Sequence, residues 1–153
     1  MAALTVKEAL IALADIVRQK GQIRAVTIGE PKAITEPTGI TAAVFLRSLE
    51  TIYAVMGEVT FLHTANIRFY RSMMAEPTDE TEYRMAAAAE TTITAILDTI
   101  DLANGTVGAG FSNPDIAELW GGRLAGEWGY QDVGGPLYRI LTFTVPLPIY
   151  GGS

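Results

Sequence analysis

A chain of 153 residues is most simply one domain, and at that length it buries about 68–70% of its unfolded surface, so it folds without covalent staples. It has no cysteine, which excludes disulfides, thiolate metal sites and cysteine nucleophiles. Seventeen acids against eleven bases give a formal charge of −6, a balance that repels nucleic-acid phosphates unless the bases are gathered in one place.

The first element is a helix predicted over Val6 to Lys20. Thr5 and Glu8 form a capping box. Val6, Ala9, Leu10, Leu13, Ile16 and Val17 then recur at helical spacing until Gly21. Gln22 to Ile28 reads as a short strand. A loop with two prolines follows, and Ile40 to Arg47, "ITAAVFLR", is the next strand. Nearly all of its residues are apolar, so it is expected to lie centrally with both faces covered. "SLETIYAVMG" reads as either loop or short strand, and Gly57 turns the chain into a long strand from Val59 to Arg71.

Val59, Phe61, Ala65, Ile67 and Phe69 form the apolar side of that strand, and His63, the only histidine, shares it. At about 3.3 Å per residue the strand is roughly as long as the whole domain is wide. It must bend, or reach past its own core. Asp79, Glu80 and Glu82 begin a helix expected to continue to Leu102, with Asn104-Gly105 as its stop. Gly105 to Pro114 reads as an uncharged flexible loop. The glycine-broken run that follows holds one or two short strands, and Pro136 to Leu147 is the last strand. Pro146 and Pro148 argue against a central ladder position for its end, and 148–153 is expected to be a short flexible end. This order predicts an α+β fold: one mainly antiparallel sheet with two principal helices packed on a face.

No catalytic signature accompanies this pattern. His63 has no second histidine with which to share a metal, and no G-x-S-x-G turn supplies a nucleophile. A histidine on the apolar side of a strand is more often packing, with a pH-sensitive contact as its remaining role. Glu30 with Glu36, or Asp98 with Asp101, could be proposed as an acid and base, but nothing places either pair in a pocket. The glycines of "GTVGAGFSNP" lack the lysine of a phosphate loop and follow a helix instead of opening one. Trp120 and Trp128 are expected to be buried anchors more than a stacking platform, with an interface anchor as the alternative, and Met56, Met73, Met74 and Met85 fillers of the core. The loose basic excess of Lys7, Arg18, Lys20, Arg24 and Lys32 has no aromatic interleaving, which disfavours a nucleic-acid module. No apolar run approaches the ~18 residues a membrane span needs. Hydrophobic residues make up 49% of the chain and charged ones only 18%, against a usual ~25%. More apolar surface than one core can take points to an oligomer.

The succession of segments carries a resemblance. A helix and short strand precede "EPTGITAAVFLRSLETIY"; then come "GEVTFLHTANIRFYR", a helix after an acidic loop, a glycine-rich loop and "GYQDVGGPLYRILTFTVPL". Over about Leu4 to Leu147 the chain resembles the tail terminator (tail completion) proteins of long-tailed bacteriophages. The segment "LWGGRLAGEWGYQ" departs from the pattern by its length and aromatic content.

The resemblance implies a non-enzymatic virion protein that assembles in the host cytoplasm as a homohexameric ring. Such a ring sits on the last ring of the tail tube protein, stops tube polymerisation, and meets the head-completion or neck proteins while genome DNA passes through its lumen. No catalytic, cofactor or metal residues come with it. The interface residues expected on this reading are Phe61, His63, Ile67, Phe69, Val107, Phe111, Val145, Leu147 and Tyr150. The alternatives are another head-tail joining protein, or a small α+β enzyme using His63.

Overall fold

The computed structural model describes residues 6–18, 23–34, 39–55, 58–73, 78–98, 100–101, 106–107, 111–112 and 125–152. Helix α1 spans Val6–Arg18, strand β1 Ile23–Ile28, β2 Ile40–Val55, β3 Glu58–Ser72 and helix α2 Thr78–Asp98. Three two-residue strands follow, β4 (Ile100–Asp101), β5 (Thr106–Val107) and β6 (Phe111–Ser112), and then β7 (Gly126–Asp132) and β8 (Leu137–Gly152). Strands β1-β2-β3-β8-β7 form one sheet in that order, antiparallel except for the β1–β2 pair, and β4-β5-β6 form a small second one. The α+β class expected from the element order is present.

The spacing that predicted α1 is the spacing of its buried face. Leu10, Leu13, Ala14 and Val17 are buried, while Lys7, Ile11, Asp15 and Arg18 point outward, the last two as an ion pair. On α2 the buried positions are Met85 and the small residues Thr81, Ala88, Ala89 and Thr92, with the Thr92 hydroxyl donating to the Ala88 carbonyl at 2.9 Å. Alanines let this helix approach the sheet closely. Both helices share one cluster with Ala42 and Val44 of β2, Ala65, Ile67 and Phe69 of β3, and Leu141 and Val145 of β8.

The opposite sheet face carries a smaller cluster of Ala43, Tyr70, Val133 and Tyr138, with Ile34, Phe45 and Ile140 against it. Alternate residues of the first half of β2 therefore enter two different cores, which is why its sequence does not alternate. The chain leaves β1 through Gly29, whose φ of 98° favours glycine and whose N–H donates to the Val44 carbonyl at 2.9 Å. Residues 30–34 then reach the β7–β8 turn. There a Cβ on Gly134, already at φ 68°, would stand 3.3 Å from both Ala33 Cβ and the Lys32 carbonyl oxygen.

Four elements differ from expectation. Strand β2 does not stop at Arg47 but continues to Val55, with Arg47 and Ile52 as extra residues that interrupt its register with β3. Helix α2 ends at Asp98 and not Leu102, because Ile100 and Asp101 join the small sheet. The predicted loop 105–114 contains strands β5 and β6, its other residues lying outside the described ones. Strand β8 runs through both prolines to Gly152, paired with β3 throughout, so 148–152 is not a flexible end; Ser153 lies outside the described residues.

The prolines are tolerated because β7 pairs with β8 only over Leu137–Phe143. Beyond that point, among the described residues, β8 has a partner on one side. Residues two apart direct their nitrogens to the same flank, so Pro146 and Pro148 remove donors from the open side alone.

Candidate functional site

Strands β2, β3 and β8 contain 16, 15 and 16 residues. Their outer partners are short: β1 reaches β2 only as far as Val44, and β7 reaches β8 only as far as Phe143. Past those points, among the described residues, the three strands continue alone as a ribbon of about 45–55, 58–66 and 144–152. Fifteen residues at about 3.4 Å each span roughly 50 Å, against roughly 38 Å for a compact domain of this size. The two bulges in β2 bend and twist this ribbon.

The nine expected interface residues fall into distinct environments. Ile67, Phe69 and Val145 are fully buried within the chain's own core, so they are corrected from interface to core. Each stands where helices cover the sheet. His63 is half-buried and lies between Leu49 and Leu147 in the ladder, one alternate position out from buried Ala65. Phe61 and Leu147 occupy ribbon ladder positions, and Tyr150 sits opposite Thr60. Val107 and Phe111 face each other across β5 and β6. The side chains of these last five lie outside the described ones.

Burial holds the His63 imidazole below its ordinary pKa of 6.5. A depressed value means the neutral form is the one the fold prefers. That contribution is present above about pH 6.5 and is lost as pH falls through the folded-state value. Urea unfolding of the wild type should therefore shift to lower midpoints between pH 7 and pH 5.5, more than unfolding of His63→Gln does. Equal shifts would remove His63 as the cause.

Arg68 and Arg139 organise the two sides of the sheet. On the helix-free side, Arg68 Nε donates to Thr142 Oγ1 at 2.9 Å. Its terminal nitrogen reaches Gln131 at 2.8 Å and Glu30 at 3.2 Å, and the guanidinium lies 5.0 Å from the Phe45 ring centre. Glu30 is thus an ion-pair partner; Glu36, proposed with it as an acid-base pair, lies outside the described residues. Beside Arg68, Arg47 donates to Thr144 at 3.1 Å, and a cleft of about 500 Å³ opens between them, with Asn66, Glu127 and Thr142 in its wall. Glu127 in its wall, and Glu30 paired with Arg68 beside it, offset the two arginines. Buried Tyr70, nearby, has a hydroxyl with no well-formed hydrogen bond among the described residues, and its pKa is raised by burial against the opposing pull of Arg68.

On the helix side, Arg139 pairs with Glu82 at 3.0 Å and donates to the Gly129 carbonyl at 3.1 Å. Its guanidinium lies 5.0 Å from the Trp128 ring centre and 4.4 Å from that of Tyr130. Trp128, expected to be a buried anchor, is 41% exposed and Tyr130 is 54% exposed; Trp120 lies outside the described residues. Glu82 serves more than the helix dipole, because it fixes this arginine. Neither arginine stood out in the sequence. Arg139 stands opposite Tyr130 in the ladder, whereas Arg68 stands opposite Ala43 and Thr142 and reaches Phe45 only diagonally.

No protein-family model and no curated protein matches this chain. Among the described residues no group of three or more histidine, aspartate or glutamate side chains could hold a metal ion. No described helix is long and apolar enough to cross a membrane.

Proposed function

We propose that this chain is a structural virion protein of the tail-terminator kind. Copies of it form a ring at the head-proximal end of a phage tail, end tail-tube polymerisation and join the tail to the head. The observation that carries this reading is the three-stranded ribbon that outruns both of its outer partner strands. A ring subunit needs two unlike, complementary surfaces, because only a heterologous contact closes by rotation. The two unlike edges of the sheet body can supply these, and the projecting ribbon a further surface for the tube or the head. The blocking of one flank of β8 by Pro146 and Pro148 suits this role, since it confines further strand addition to chosen edges. The resemblance of segment order along the chain supports the same reading. A net charge of −6 suits a conduit through which DNA slides without sticking.

The test is polymerisation of a tail tube protein with and without this chain, followed by electron microscopy. Rings capping tubes of restricted length are the expected result. Tubes that grow on uncapped, with the chain remaining monomeric beside them, would refute the reading. A monomer in the absence of tube protein is compatible with it.

A further inference from the structure

We propose that adjacent subunits join by antiparallel addition of β1 of one copy to β7 of the next, making the five-stranded sheets continuous around the assembly. This rests on the ring reading and specifies the contact that builds it. Strands β1 and β7 are the two outer strands of the sheet, six and seven residues long. Each offers a row of backbone groups for which the sheet has no further strand among the described residues. Neither contains proline or lysine, the residues that commonly guard such edges. The Gly129 carbonyl already accepts from Arg139, but a carbonyl has a second lone pair.

Three observations choose a second copy, and this pairing, as the occupant. The only charged residue of β1 is Arg24, and the only charged residues of β7 are Glu127 and Asp132. Like edges would bring charges of one sign to the junction, whereas joining β1 to β7 brings charges of opposite sign to it. Second, the exposed apolar groups lie on one side of the sheet. Ile28, 49% exposed, is opposite Val44, and Trp128 and Tyr130 are opposite Leu141 and Arg139, all on the helix side. A continuous sheet sets Ile28 beside two aromatic rings already held by Arg139, the residue types that anchor interfaces. Third, the strand directions agree. Following the pairs across the sheet, β1 runs antiparallel to β7. Rotation about an axis along the strands preserves that relation, so the junction has the more stable antiparallel form.

The chain has no cysteine, so introduced pairs report on contact without background. Ala25→Cys would be combined in turn with Glu127→Cys, Gly129→Cys and Gln131→Cys, all on the helix-free side, the last being the register that sets Ile28 opposite Trp128. Ala25 and Glu127 are exposed, and a Cβ on Gly129 meets Ile140 only at ordinary contact distance. In rings formed on tail tube protein, oxidation of at least one double variant should give a covalent ladder of dimer, trimer and higher species, while the single variants stay monomeric on denaturing gels. Covalent dimers from a single variant would mean like edges meet, and would overturn the proposal. Visible rings without any ladder would overturn it too and leave the ring reading standing. A ladder without tube capping would support the edge contact and remove the tail role; neither rings nor ladder would end both.

Discussion

Replacing Phe69 with alanine is expected to lower the unfolding free energy by about 3–5 kcal/mol, a large share of the 5–15 kcal/mol typical of a whole domain. Phe69 is fully buried on β3, the middle strand of the sheet, and meets Phe143 of β8 edge-on with 6.2 Å between ring centres. Both helices lean on the same cluster. Neither can settle far into the space left behind without losing contacts elsewhere, so most of the cavity persists. Urea titration followed by circular dichroism measures the effect. A double-mutant cycle with Phe143→Ala should return a coupling of about 0.5–1.5 kcal/mol for the ring pair. A loss from Phe69→Ala below about 1.5 kcal/mol would mean that the site is not enclosed.

A charge at Ile67 has the second large consequence. Ile67 is fully buried, with Val44 and Phe143 as its ladder neighbours. Ile67→Asp removes an aliphatic packing group and strands a carboxylate in an apolar cluster where no base stands among the described residues, a penalty of at least several kcal/mol. The isolated variant should be largely unfolded at neutral pH by circular dichroism. Its carboxyl would have a folded-state pKa above the unfolded value of about 3.9. The charge penalty therefore grows as pH rises above about 4 and is relieved on acidification. An interface position behaves differently, leaving the isolated chain folded and damaging only assembly. A folded Ile67→Asp monomer would restore this residue to the interface and contradict its burial.

Much of the fold was legible wherever one period governed a segment. Helix α1 shows this best, since a capping box and an unbroken 3.6-residue pattern mark one buried stripe. Strand β3 shows it too, with Ala65, Ile67 and Phe69 alternating onto one face. The second half of β2 was not legible. Its bulges at Arg47 and Ile52 each add a residue, and each reverses which positions face the helices. Strands β4 to β6 have two residues apiece, too few to establish any period. The rule about proline was applied correctly to β8 but concerned only one flank.

The site was harder to read. A lone histidine attracted notice because it is rare, while Arg68 and Arg139, which organise the two faces, looked like ordinary strand arginines. What gives them their roles is the partner brought from far along the chain: Glu30 and Gln131 to one, Glu82 and two aromatic rings to the other. Local pattern carries no trace of such pairing. Ile67, Phe69 and Val145 illustrate the converse, because an apolar stripe announces burial without saying whether the covering atoms belong to the same molecule.

The place of β8 between β3 and β7 bears on biosynthesis. Strand β3 ends at Ser72, and the strand that must close its free side starts only at Leu137. At about 5–20 residues per second, a ribosome takes several seconds to make the intervening stretch. During that interval the nascent hairpin of β2 and β3 offers a long unmated margin to any neighbour on the same message. Polysomes crowded with such chains are where misassociation would start, so soluble yield should respond to slower initiation or to holding chaperones more than to changes in the finished molecule.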